Sequence, residues 1–410
     1  MNSVNNEGVS LWKESHLQAT YPQIVEDLEV DTVVVGAGIT GLTVAYMLKR
    51  SGQKVAVLDK STVGGGTTAR TTGKVTSQHN LVYKDLQDRL GNKIAQVYAD
   101  ANQTAVETVA SIIKREKISC EWEIDDNYVY TTDSTKVEEF KTEADVAASL
   151  GLPSTYETTS PLPFAIEAAI KFTGQGKMHS QKYLLGLAAA VNGDGSFVFE
   201  ESGVIGIHDG DPGKVRTRKA SVTAKSIVVA TSVPTMPLVA RGAYCILEYP
   251  KESYIVAGTP EKVIKGMYIS PDKDNYSILP IAVNGSPTLL IGGKGHISGL
   301  RISKDTRYTT LSEYAAKHFG MNQVTHRWSD RDYIAYDGIP LAGKLYPWSK
   351  NLYVGSAYRK WGLSNGTAAA MIIHDLIIGI ENPWASTYDP IRLDPIKSIP
   401  HVAKSYISKK

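Results

Sequence analysis

Cysteine is nearly missing from this 410-residue chain: it has two, Cys120 and Cys245, in unrelated contexts and with no C-x-x-C pair. That excludes a dithiol redox centre and a cysteine zinc knuckle. No H-E-x-x-H or comparable ligand cluster is present either, so no metal is expected. Long apolar runs are missing. No segment approaches the roughly eighteen uninterrupted apolar residues of a membrane span. An excess of one charge is missing as well: 44 Lys and Arg face 42 Asp and Glu, for a formal charge of +2. This balance gives no reason to expect a nucleic-acid or membrane partner. The first residues carry Glu7, Lys13 and Glu14 and no apolar stretch, so a secretory leader is not expected and the cytoplasm is the default expectation.

What is present is a strand that runs into a glycine-rich turn, Val33-Val34-Val35-Gly36-Ala37-Gly38-Ile39-Thr40-Gly41. A helical pattern follows, with Leu42, Ala45 and Leu48 on one face. Gly52 then breaks it, and a second apolar strand, Val55 to Leu58, ends on Asp59 and Lys60. Together these form the βαβ dinucleotide fingerprint in its proper context. Gly36 permits the tight turn, Gly38 admits a pyrophosphate to backbone N–H groups, and Gly41 lets the helix pack on the strands. The helix N-terminus favours phosphate charge. Asp59 suits a ribose diol and disfavours a 2′-phosphate, which points to FAD or NAD over NADP.

The remaining chain alternates between parallel-sheet signals and other material. Residues 63–73, rich in Gly and Thr, form a loop whose N–H groups and hydroxyls lie beside the βαβ unit, and Gly66, Thr67, Thr68, Thr71 and Thr72 are candidate cofactor contacts. Helices are expected over 81–117 with a break at Gly91, over 135–150, over 183–190 and from about 311 to 319. Strands are expected at 121–131, 197–199, 203–207, 215–218 and 227–231. Strand-like runs dominate 244–333, and a last strand at 351–355 precedes a long helix from about Thr367 to Ile378. The expected fold class is α/β: a Rossmann-like FAD-binding domain interwoven with an α+β substrate domain on a mainly antiparallel sheet. The expected division is an N-terminal arm (1–29, with Trp12, Tyr21 and Pro22 as anchors), a discontinuous nucleotide domain (30–89, 176–242 and 336–385), a substrate domain (90–175 and 243–335) and a tail (386–410).

No second G-x-G-x-x-G lies between a strand and a helix, so one dinucleotide is expected, and the flanking features favour FAD. The strand Ile227 to Thr231, with Ala230-Thr231-Ser232, is similar to a flavoprotein Ala-Thr-Gly segment. With Gly36 to Gly41, Gly64 to Thr72, Asp337 to Gly343, Asn351 to Gly355 and Gly362 to Ala370 in order, the chain resembles the FAD-dependent oxidoreductases of the D-amino-acid oxidase superfamily. It is similar to the glycine oxidase and γ-glutamylputrescine oxidase branches. Thr71 to His79, Lys360-Trp361-Gly362 and Asn365 to Ala370 resemble a subgroup often fused to a Rieske domain. No Cys-x-His…Cys-x-x-His set is present, so no cluster ligands are expected.

The resemblance implies roles for particular residues. Gly362, Leu363, Ser364, Asn365, Gly366 and Thr367 would open the last helix against the flavin and stabilise negative charge on its reduced ring. Lys74, His79, His296 and Lys360 are candidate catalytic side chains, and Tyr358 and Arg359 are candidate substrate contacts. Where glycine oxidase-like enzymes place an Arg before Asp-Gly-x-Pro, this chain has Asp332, with Arg331 on the opposite strand face. An acid there repels a carboxylate and favours an ammonium group; a purely structural acid is the alternative. Neither cysteine lies next to the expected ring, so FAD is expected to be non-covalent. The implied activity is oxidation of the C–N bond of an amine or amino acid by hydride transfer to flavin N5, giving an imine. The electrons pass to oxygen or to an electron-carrier protein. A dehydrogenase serving a separate iron–sulfur partner and a non-catalytic flavin-binding protein remain open alternatives.

Overall fold

The computed structural model of the chain describes residues 6–14, 20–232, 242, 244, 246–299 and 302–407. Cys245, and residues 233–241 of the expected nucleotide-binding segment, lie outside the described residues. The fold is mixed α/β with two sheets, and the chain divides into two compact units. One comprises 18–68, 183–250 and 332–410; the other comprises 1–17, 69–182 and 251–331.

The first unit is built on a largely parallel sheet. Its strands run in the order Leu341–Lys344, Leu352–Ser356, Ser221–Ser232, Leu28–Val35, Val55–Leu58 and Phe197–Phe199. Along this order all neighbours are parallel except Leu341–Lys344, which is antiparallel to Leu352–Ser356; off it, Gly213–Arg216 pairs antiparallel with Ser221–Ser232 and with Gly206–His208. Parallel strands are covered on both faces and so become continuous apolar runs. Val33, Val34, Val55, Ala56, Val57, Leu352 and Val354 are all fully buried. The strand expected at 227–231 begins instead at Ser221. Its first half alternates between buried Val222 and Ala224 and more exposed neighbours, and pairs with Leu28–Thr32. One wet face there hides the strand from a search for apolar runs. The fingerprint helix is Ile39–Arg50, and a second helix, Gly362–Ile378, packs against it. That second helix starts five residues before the expected Thr367, because Gly362 and Gly366 serve helix packing there and not a turn.

The second unit carries a mainly antiparallel sheet. From Val324–Ala335 it runs through Glu248–Gly258, Ser286–Ile297, Ser277–Val283, Met267–Ile269, Glu123–Thr131 and Ala168–Lys177 to Lys74–Val75. The helix Lys304–Phe319 covers one face with Leu311, Ala315 and Phe319. Ser303 caps it by accepting from the Thr306 N–H, which places its start seven residues before the expected 311. Gly91, at φ 91°, separates helices Tyr83–Leu90 and Asn92–Glu116 as expected. Among the described residues, no helix is long and apolar enough to cross a membrane.

Candidate active site

In an open parallel sheet, ligands bind beyond the carboxyl ends of the strands. At that edge of the first unit, Val35 gives way to Gly36, and Leu58 to Asp59. The backbone is packed too closely there for side chains. A Cβ on Gly36 would stand 2.5 Å from the Ala230 carbonyl oxygen, and one on Gly41 would stand 1.9 Å from that of Gly36. Gly36 also has φ of 110°, which glycine alone adopts readily. The fingerprint helix begins after Gly38, which has no side chain to cap it, and has no acid in its first turn, so no negative charge meets its positive end. Thr68 Oγ1 takes the Ile39 N–H at 3.2 Å and joins the Gly/Thr loop to this turn. Thr67 to Arg70 form a short 3-10 turn inside that loop.

Asp59 accepts the Ala37 N–H at 2.8 Å through Oδ2, and the Ser61 N–H and hydroxyl through Oδ1. It thus braces the turn and keeps acceptor capacity for a diol. Lys60 beside it is exposed. Buried Glu200 is a brace that the sequence reading missed: it accepts the Val63 N–H at 2.6 Å and the Tyr21 N–H at 3.1 Å. The available signal was its place directly after a three-residue parallel strand, the same pattern as Asp59.

The second half of the edge is the segment from Ser356 to Thr367. Ala357, Arg359 and Lys360 adopt φ of 64°, 54° and 69°, in the left-handed region that costs a non-glycine residue energy. Such strain clusters at functional sites and needs surrounding contacts to hold it. Asp332 supplies one contact, accepting the Lys360 N–H at 2.5 Å and the Tyr333 N–H at 2.8 Å. Both oxygens of Asp332 therefore hold backbone. Burial pushes its carboxyl up to about 6, against the opposing effect of these amides and of Lys360. The Arg359 N–H reaches the Tyr333 carbonyl at 3.2 Å, and Asn365 Nδ2 the Tyr358 carbonyl at 3.1 Å. Nη1 of Arg359 is buried with no acceptor among the described residues.

Gly362–Ile378 starts without a side-chain cap and without an acid in its first turn. Ser364 and Thr367 turn their hydroxyls onto their own helix, toward the Trp361 and Leu363 carbonyls. Gly366 brings the two helix starts together: a Cβ there would lie 2.8 Å from Thr40 Oγ1. The Thr40 and Tyr358 hydroxyls bond at 2.7 Å, and burial raises the phenol's pKa. One edge therefore gathers Gly36 to Gly41, Asp59, Thr68, Tyr358 to Lys360 and Gly362 to Thr367. Ala230 and Thr231 lie on the intervening strand, with Ala230 against Gly36. Two helix starts with no acid in their first turns, and turns stripped of Cβ atoms, fit an anionic dinucleotide.

The other expected site residues, Thr71, Thr72, Lys74, His79 and His296, belong to the second unit. His79 is buried, with Nδ1 at 2.6 Å from the Tyr98 hydroxyl and Nε2 at 2.8 Å from the Thr76 carbonyl. Both ring nitrogens are engaged, and the ring works as a core hydrogen-bonder. His296 stacks on Tyr254 at 5.8 Å between centroids and pairs in register with Glu252. The Thr71 carbonyl accepts Trp12 Nε1 at 2.5 Å, which makes Trp12 an anchor within this unit. Lys74 is buried and donates to the Tyr268 carbonyl at 2.5 Å and to Ser277 Oγ at 2.8 Å. Burial pushes its ammonium down to about 7. Below that pH, the folded and unfolded chains both hold the proton, and the cost of burying charge is present in full. From about 7 to the ordinary 10.5, the unfolded chain holds more protons, so stability rises with pH. Lys74→Met should flatten the unfolding free energy across that window by as much as about 1.4 kcal/mol per pH unit. Denaturant titrations at several pH values check this.

The chain matches the family model described as FAD dependent oxidoreductase (DAO) over residues 31–376. It is 30% identical over 383 residues to a putative Rieske 2Fe-2S iron–sulfur protein, YhfW, of Bacillus subtilis, covering 93% of this chain and 75% of that one. It is 24% identical to γ-glutamylputrescine oxidoreductase of Escherichia coli, over 93% and 89% of the two chains. The crystal structure of glycine oxidase from Geobacillus kaustophilus superposes with a TM-score of 0.73 at 18% identity, covering 90% of this chain and 98% of that one. The chain belongs to the DAO family of FAD-dependent oxidoreductases.

Proposed function

We propose that the enzyme oxidises the C–N bond of an amine or amino acid to an imine, with FAD held non-covalently by the parallel-sheet unit. The observation that carries this reading is the pair of helix starts, Ile39 and Gly362, with no acid in either first turn, joined at the Thr40–Gly366 contact on the strand edge. FAD, when bound, supplies the hydride acceptor. The protein's part is placement and charge. The first-turn amides of Thr40 and Gly41 would hold the diphosphate, which the absence of side chains at Gly36, Gly38 and Gly41 lets approach, and Asp59 would take the ribose diol. The start of Gly362–Ile378 favours the negative charge that a reduced ring carries. Arg359 has a buried guanidinium donor to offer a substrate carboxylate or carbonyl. γ-Glutamylputrescine oxidoreductase and glycine oxidase, by name, act on an amine and an amino acid.

The test is to mix the yellow protein with a panel of amines and amino acids without oxygen. At least one should bleach the flavin band and release an imine-derived carbonyl. If dithionite bleaches the protein and no panel member does, the reading fails.

A second reading concerns the acceptor. The relative YhfW is named as an iron–sulfur protein, which favours electron delivery to an iron–sulfur carrier. Reduced enzyme that reoxidises slowly in air supports the carrier; rapid reoxidation with peroxide supports oxygen.

A further inference from the structure

Glu248 opens the strand Glu248–Gly258 and is only 3% exposed. Its Oε2 lies 2.7 Å from Ser356 Oγ, and its Oε1 has no hydrogen-bond partner among the described residues. Ser356 Oγ also bonds the Ser232 carbonyl. Ser232 and Ser356 face each other in register at the carboxyl ends of neighbouring parallel strands. This is the edge to which the fingerprint strand also delivers Gly36.

Proton counting decides the state of this chain of oxygens. A serine hydroxyl carries one hydrogen, and a backbone carbonyl can only accept. The Ser356 hydroxyl stands within donating reach of two acceptors, Glu248 Oε2 and the Ser232 carbonyl, and has one hydrogen for both. A hydrogen on Oε2, directed at Ser356 Oγ, satisfies both contacts, with the Ser356 hydrogen on Ser232. A carboxylate there would face a lone pair. The charged and titratable surroundings agree. Asp332 is the charged group that acts on Glu248, and Tyr244 and Tyr358 in turn feel the charge of Glu248. No cation among the described residues pairs with it.

We propose that Glu248 is a proton-carrying positioning residue of the flavin edge: neutral in the resting enzyme, hydrogen-bonded through Ser356 to Ser232, and ionising at the expense of flavin reduction. This rests on the reading that the edge holds FAD. Ionisation breaks the Oε2–H bond and sends the proton to solvent. The Ser356 hydroxyl then turns to donate to the new carboxylate, and the Ser232 carbonyl loses its donor. A fixed negative charge at this edge opposes the negative charge of a reduced ring, so reduction holds the proton on Glu248. Burial, with Asp332 nearby, places the transition at about 8.

Two measurements on the holoenzyme, wild type and Glu248→Gln, test this. The amide of Gln can still donate to Ser356 but cannot ionise. Infrared difference spectra, wild type minus variant, should show a protonated-carboxyl band at about pH 6 that is gone by about pH 10. The flavin midpoint potential of the wild type should fall more steeply with pH around 8, by one extra proton per two electrons, and the variant should lack that step. Absence of the carboxyl band at about pH 6, or identical potential profiles, overturns the proposal. Failure of the protein to hold FAD overturns the cofactor reading instead, and the infrared arm still reports on Glu248.

Discussion

Alanine at Gly41 should give a folded protein that purifies with little or no yellow colour. A methyl group there would sit 1.9 Å from the Gly36 carbonyl oxygen, 3.1 Å from its carbon and 3.2 Å from Val34 Cγ1. Backbone oxygen cannot move aside as a flexible side chain can, so the helix start and the turn must separate. The separation spoils the convergence of N–H groups that holds a diphosphate. Overpacking of this kind costs about 2 kcal/mol or more, which corresponds to FAD binding weakened by about thirtyfold to hundredfold. Gly206→Ala is the control, since a Cβ at Gly206 meets only the Arg216 side chain, at 3.4 Å or more. Titration of FAD into the two apoproteins, with circular dichroism to confirm folding, reads the difference. Equal affinities would remove Gly41 from the cofactor site.

The second large effect concerns stability. Asp337 is fully buried, and Arg392 grips it with Nε at 2.8 Å and Nη2 at 3.1 Å. The same guanidinium donates to the Ile339 and Asp389 carbonyls, and Asp337 accepts the Ile339 N–H. The pair thus pins the Asp-Gly-Ile-Pro turn to the segment that follows the last long helix. Removing one partner leaves the other charge buried and uncompensated. Asp337→Ala should therefore lose about 3–5 kcal/mol, a large part of a typical domain's margin. The double variant Asp337→Leu with Arg392→Met should recover much of that loss, because no lone charge remains. Chemical denaturation of the wild type, both single variants and the double variant checks this. A loss below about 1 kcal/mol in Asp337→Ala would show that the pair is dispensable.

The βαβ turn was legible because its information is local. Gly36, Gly38, Gly41 and Asp59 follow from turn geometry, helix polarity and strand periodicity within one βαβ unit. The mainly antiparallel character of the second sheet was equally open to reading, since its strands alternate. What escaped depends on distant partners. The start of Gly362–Ile378 was placed late because glycine usually breaks helices, and only the approach of Thr40 explains Gly366. Ser221–Ser226 was missed because one face of that strand is wet. His79 carries the chemistry of a catalytic base, but Tyr98 and the Thr76 carbonyl take both of its nitrogens. Glu248 has no motif around it. Its importance arises only where Ser356 and Ser232, far apart in the chain, converge on it.

The central claim is that the turn from Gly36 to Gly41 and the start of Gly362–Ile378 together hold one FAD. Quantifying the nucleotide released on heat denaturation of purified protein tests it most directly. The expected result is one FAD per chain, released free, with apoprotein that takes up FAD again and ignores NADP. Well-folded protein that releases no FAD and takes up none at saturating concentration would contradict the account.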